Sequence, residues 1–130
     1  MMRETPQLFV VLENKPGSAS RMCRVLQKKK ISVYGIAMFI DSARLHVSAP
    51  EKALRALQEN GYTAEIRQVL EVRLPNRQGA LFELTNKLAN AGINIEYMFG
   101  TIEEKQRHGS IILEVDDPEL ALSIFKNHKF

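Results

Sequence analysis

Two stretches decide the fold: "LENKPGSAS", Leu12 to Ser20, and "LPNRQGALF", Leu74 to Phe82. In each, an Asn stands three residues before a Gly, directly after a run of apolar and β-branched residues ("QLFVVLE" and "VLEVRLP"). Asn14 and Asn76 are 62 residues apart, as are Gly17 and Gly79. The same offset pairs Leu8 with Leu70, Val10 with Val72, Leu12 with Leu74, Leu26 with Leu88, Ile31 with Ile93 and Val33 with Ile95. Further on the offset becomes 68, pairing Pro50 with Pro118, Ala53 with Ala121, Leu54 with Leu122 and Leu57 with Phe125. The slip belongs in the polar stretch "EEKQRHG", Glu103 to Gly109, read as a longer turn. A fixed period of this kind marks a duplicated structural unit.

Each copy has the same order of elements. "QLFVVLE" has the content of a strand and "NKPG" breaks it. Ser18 is the expected helix N-cap, and Ala19, Met22, Cys23 and Leu26 follow at helical spacing, which places Cys23 in the core. The helix ends in Lys28, Lys29 and Lys30, which suit the negative end of its dipole. "ISVYGIAMFI" and "RLHVS" form a hairpin, "APEKALRALQENG" a second helix with Ser48 or Ala49 at its cap and Pro50 in its first turn, and "YTAEIRQV" a last strand. In the second copy Ala80, Leu81, Leu84 and Leu88 make the buried helix face, Gly92 ends that helix, and Asp117 caps the second helix ahead of Pro118. The expected fold is α+β: two ferredoxin-like βαββαβ repeats, residues 1–67 and 68–130, with antiparallel sheets joined and helices on one side.

Two features break the symmetry. The sequence ends soon after the fourth helix, so the second repeat lacks its last strand and leaves an open sheet edge. The first strands also differ. Where the second copy alternates Leu70, Val72 and Leu74 with Glu71 and Arg73, the first carries Phe9 and Val11 on its opposite face. That apolar face calls for a cover, and a homodimer interface is the expectation. Each copy alone is too small for a generous core, so a shared core or sheet is expected as well.

Composition narrows the function. With 45% hydrophobic and 25% charged residues, the 130-residue chain is globular. Its 18 Lys and Arg against 15 Asp and Glu give only +3, which describes a solvated surface rather than a nucleic-acid footprint. A single cysteine, Cys23, excludes an internal disulfide. No apolar run is long enough to span a membrane and "MMRETPQ" lacks the shape of a signal peptide, so the expected setting is cytoplasmic. His46, His108 and His128 show no metal-ligand spacing with Cys23, and no nucleophile–base pair stands out. The expectation is a protein without metal, cofactor or catalysis.

The duplicated turn has its own chemistry. Gly lets a ligand approach the main chain, and the N–H groups at a helix start favour an anion. An Asn beside them offers a donor and an acceptor. Together they suit a zwitterion: backbone N–H groups take the carboxylate and the Asn carbonyl takes the ammonium.

The repeat, with "ENKPGSAS" and "PNRQGALFELTNKLANAGINIEYM", resembles the ACT domain, and the resemblance spans about 8–67 and 69–128. These regulatory modules bind amino acids and occur both in enzymes of amino-acid metabolism and on their own. The resemblance implies an effector amino acid held between the strand–helix turn of one domain and the second strand of another. It implies as ligand-binding Asn14, Gly17, Ser18 and Ala19, with Asn76, Gly79, Ala80 and Leu81. The family's Asn early in the second strand is Asn94 in the second copy, but Ser32 in the first. If Asn94 faces the Asn14 turn, that site is the better one. Tyr34, Met38, Tyr97 and Met98 lie along the second strands, where they line a side-chain pocket or simply pack. Expected partners are a small amino acid, a second copy of the chain and an enzyme of amino-acid metabolism.

Two other classes remain open at this level. Ferredoxin-like sheets also bind nucleic acid by stacking bases on exposed aromatics, here Tyr34, Phe39, Tyr97 and Phe99. A small acylphosphatase-like hydrolase shares the element order but needs a phosphate-cradling Arg in its first loop, and Arg21 and Arg77 lack that setting.

Overall fold

A computed structural model describes all residues, Met1–Phe130. The elements run β1 (Met2–Val11), α1 (Ser18–Lys28), β2 (Val33–Met38), β3 (Ser42–Val47), α2 (Pro50–Glu59), β4 (Ala64–Pro75), α3 (Ala80–Asn90), β5 (Ile95–Thr101), β6 (His108–Val115) and α4 (Pro118–Phe125). The expected α+β repeat is present twice. The chain forms two compact units, Pro6–Arg67 and Met1–Thr5 with Gln68–Phe130. They differ from the sequence repeats only in the first five residues.

In the first unit the strands are ordered β2-β3-β1-β4. Leu8 lies opposite Leu45 and Val10 opposite Ala43, so one face of β1 and β3 is apolar at every second residue. Leu8, Val10 and Leu12 pack there with Met22 and Leu26 of α1 and with Ala53 and Leu57 of α2. On the other face Phe9 is partly covered by the guanidinium groups of Arg67 and Arg44, 4.1 and 5.5 Å from its ring centre. Val11 is exposed.

In the second unit the order is β5-β6-β4-β1. Leu70, Val72 and Leu74 pack with Leu84 and Leu88 of α3, Leu113 of β6 and Phe125 of α4. Each unit thus buries a core of its own, and of the expected shared core or sheet it is the sheet that is found, six strands in the order β2-β3-β1-β4-β6-β5. No strand follows α4, as the sequence indicated, but the edge is not left open. The main chain of Met1–Thr5 lies along β4, with the Arg73 N–H donating to the Met1 carbonyl at 3.2 Å. The Arg3 guanidinium pairs with Glu71 at 2.6 Å, and Ser110 Oγ donates to the same carboxylate at 2.8 Å.

Three local expectations change. Gly17, not Ser18, is the N-cap of α1, and Gly79 holds the same place before α3. Cys23 is exposed, because the buried stripe of α1 is the narrow line Ser18, Met22, Leu26. Leu81 is 46% exposed, since Ala80, Leu84 and Leu88 already fill the face of α3. The expected caps of the other helices hold: Ala49 precedes Pro50, and Asp117 accepts from the Leu120 N–H at 3.0 Å.

Candidate functional site

The two strand–helix turns share one backbone. Gly17 and Gly79 have φ of +88° and +90°, the left-handed region that side chains with a Cβ disfavour. Neither α1 nor α3 receives a side-chain cap. The Ser18 and Ala80 N–H groups turn back to the Lys15 and Arg77 carbonyls at 3.3 and 3.2 Å, and the remaining first-turn N–H groups stay available at the positive end of each helix. By contrast α4 begins on the Asp117 carboxylate.

The side chains around the turns differ. Asn14 is exposed and its amide has no hydrogen-bond partner. The Asn76 amide is engaged: Nδ2 donates to the carbonyls of Gln106 at 2.7 Å, Glu104 at 3.1 Å and Glu103 at 3.3 Å. The Asn76 backbone N–H adds a bond to the Arg107 carbonyl at 2.7 Å. The longer β5–β6 connection inferred from the slip in the repeat is thus folded onto the second turn.

Charges differ too. In the second repeat Arg77 reaches forward to Glu83 on α3 at 3.0 Å. Glu83 also meets His128 Nε2 at 2.7 Å, while Lys87 Nζ lies 2.9 Å from His128 Nδ1. An ammonium only donates, so Nδ1 accepts and Nε2 carries the proton toward Glu83. The His128 and Arg77 hydrogen bonds hold the Glu83 carboxyl below its ordinary pKa. In the first repeat the residue matching Glu83 is Arg21, and Lys15 pairs backwards with Glu13 at 2.8 Å. Lys15 holds the Glu13 carboxyl below its ordinary pKa, with a smaller contribution from Arg21.

Ser32 and Asn94 occupy matching places just before β2 and β5. The Ser32 N–H donates to Ser48 Oγ at 3.0 Å, and the Asn94 N–H to Asp116 Oδ1 at 2.9 Å. Both side chains are exposed. Within the first unit, no hydrogen bond joins Ser32 to Asn14, Gly17, Ser18 or Ala19; within the second, none joins Asn94 to Asn76, Gly79, Ala80 or Leu81. Of the second-strand residues, Tyr34 is 67% exposed and Met38 and Met98 are exposed. Ser18 is buried with its Oγ unpaired. The matching Ala80 has no hydroxyl to pair.

A profile describing an ACT domain pair matches residues 3–130. The chain belongs to the ACT domain-pair family. No curated protein sequence matches it. Among solved structures it is similar to a Bacteroides thetaiotaomicron protein at 29% identity and a TM-score of 0.87, covering 96% of this chain and 88% of that one. It shares a fold with the ligand-free regulatory subunit of Thermus thermophilus aspartate kinase (18% identity, TM-score 0.69, 99% and 97% of the two chains). The Escherichia coli aspartokinase III complex with lysine and aspartate also shares the fold (15% identity, TM-score 0.59), with 97% of this ACT pair covering 32% of that enzyme. No helix is long and apolar enough to cross a membrane, and no cluster of three metal-ligating side chains is present.

Proposed function

We propose that this ACT pair is a regulatory, non-catalytic protein that binds a small amino acid at the strand–helix turn of its first repeat and signals to a partner enzyme. One observation carries the reading. The turn at Asn14 combines a left-handed Gly17, an uncapped helix start and an Asn amide with no partner. The matching Asn76 amide is already taken by main-chain carbonyls. The ligand carboxylate meets the first-turn N–H groups and its ammonium meets the Asn14 carbonyl oxygen. In this reading an Asn94 completes the site, and Ser32, the shorter residue at the matching place, makes the Asn76–Leu81 turn the weaker candidate. Family membership supports the reading, and so do the fold neighbours described as aspartate kinase regulatory subunits.

Binding favours whichever arrangement of repeats brings turn and strand together, and that preference is the signal. A homodimer built on the Val11 side of β1 supplies a further repeat, and a cytoplasmic setting among enzymes of amino-acid metabolism fits the ligand. Asn14→Ala and Asn94→Ala should each abolish the ligand-induced rise in melting temperature while leaving the far-UV circular dichroism unchanged. Retention of the full rise in Asn14→Ala removes the assignment. A strictly monomeric mass by light scattering at micromolar concentration removes the homodimer.

A further inference from the structure

A recess of about 480 Å³ opens on the second unit, on the sheet face turned away from α3 and α4. Leu70, Val72 and Leu74 face those helices, so strand alternation sends Glu71 and Arg73 of β4 to the other side. On β6, Ser110 lies opposite Arg73 and His108 opposite Pro75, and Arg3 of the Met1–Thr5 segment forms the remaining wall. All of these residues belong to one unit.

The charges in the recess are unevenly satisfied. Glu71 is the one acidic residue in its lining, and its carboxylate is already held. Arg3 Nη2 and Nε reach one oxygen at 2.6 and 2.8 Å, and Ser110 Oγ donates to the other at 2.8 Å. This pair is neutral and fixes one side of the recess. Beside it, the exposed side chains of Arg73 and His108 have no hydrogen bond or ion pair. The first repeat differs at the matching place. β1 and β3 pair Val11 with Ser42 as β4 and β6 pair Arg73 with Ser110, so the two places correspond. There Val11 stands for Arg73, Phe9 for Glu71 and Ile40 for His108. An apolar surface in one copy is a cationic recess in the other.

We propose that this sheet-face recess of the second repeat binds a small oxyanion, a phosphate or carboxylate group, between Arg73 and His108. The Arg73 guanidinium offers a fork of parallel N–H donors and a permanent charge. The His108 imidazole donates one further bond. Arg3 keeps N–H groups beyond those spent on Glu71 and adds positive charge from the far wall. None of the residues proposed for the amino-acid site lines the recess, and it faces away from the helices, so it stands apart from that site.

The test is an amide-resolved NMR titration of the full chain with sodium phosphate and, separately, sodium malonate. Each salt is taken to about 10 mM, the weak-binding range, with ionic strength held constant by sodium chloride. Saturable shifts centred on Arg73 and His108–Ser110 are expected with at least one salt, and the stronger responder identifies the preferred group. Arg73→Gln removes no contact within the protein, so it should melt like wild type and weaken binding by about tenfold or more, the size of one charge-assisted bond. His108→Ala should weaken binding by roughly threefold to tenfold. Arg24→Gln makes the same charge change on α1 of the other unit and should titrate like wild type. Absence of saturable shifts with both salts, or equal losses in Arg73→Gln and Arg24→Gln, overturns the proposal. The amino-acid-induced rise in melting temperature should survive Arg73→Gln, and the anion shifts should survive Asn14→Ala, so failure of one site is distinguishable from failure of the other.

Discussion

Asn14 and Asn76 are one position in two copies, yet only one of them holds the fold. In Asn76→Ala the side-chain donor to the Gln106, Glu104 and Glu103 carbonyls disappears. An amide nitrogen has two hydrogens, so at most two of these contacts count fully, with the 2.7 Å bond to Gln106 foremost. A hydrogen bond contributes about 0.5–1.5 kcal/mol net, and this turn is exposed, so the loss should be about 1–2 kcal/mol. For a chain of this size that lowers the melting temperature by roughly 3–8 °C. Asn14→Ala removes no hydrogen bond and should stay within about 0.5 kcal/mol of wild type. Guanidinium denaturation with matched slopes measures both. Hydrogen exchange at the Asn76 amide, bonded to the Arg107 carbonyl at 2.7 Å, should quicken in Asn76→Ala only. Equal stability losses in the two variants would falsify the division of labour between the turns, and with it the reason for placing the ligand at Asn14.

Lys30 is the one residue other than glycine with positive φ, at +57°, and it matches Gly92 at +73° in the second repeat. Lys30→Gly should therefore stabilise the protein by about 1 kcal/mol in a denaturant melt, while Gly92→Ala, which meets nothing within 4 Å, should lose a similar amount. Deleting Met1–Thr5 strips the edge of β4, so exchange protection of Val69–Leu74 should fall while that of Leu8 and Val10 persists. Glu83 has a depressed folded pKa, so its contribution is present above the unfolded value near about 4.3 and is lost as pH falls through the folded value. Stability of wild type should accordingly drop more steeply below about pH 5 than that of Glu83→Gln, by equilibrium denaturation across pH.

The repeat made most of the fold legible. Period-two apolar residues such as Leu8, Val10 and Leu12, and Gly17 at a helix start, are local signals that need no knowledge of distant partners. The strand formed by Met2–Thr5 was not legible. Its sequence, MRET, carries polar residues that are ordinary at a sheet edge, and its partner lies more than sixty residues away. The same limit hid the work of Asn76. Residue spacing located the longer turn near Glu103–Gly109 but not the surface on which it folds. Cys23 was misplaced because helical spacing admits a wide apolar face, while α1 buries only a line of residues four apart. The Gly-containing turns were found, yet their inequality rested on side chains, Arg21 against Glu83 and Ser18 against Ala80. Their significance depends on what stands opposite them in three dimensions.

The central claim is that this ACT pair is an amino-acid sensor, and a melting screen over the twenty common amino acids tests it most directly. A ligand at about a hundred times its dissociation constant adds about 2.7 kcal/mol. At least one amino acid at millimolar concentration should therefore raise the melting temperature by several degrees in wild type and not in Asn14→Ala. No rise with any amino acid at that concentration would contradict the account.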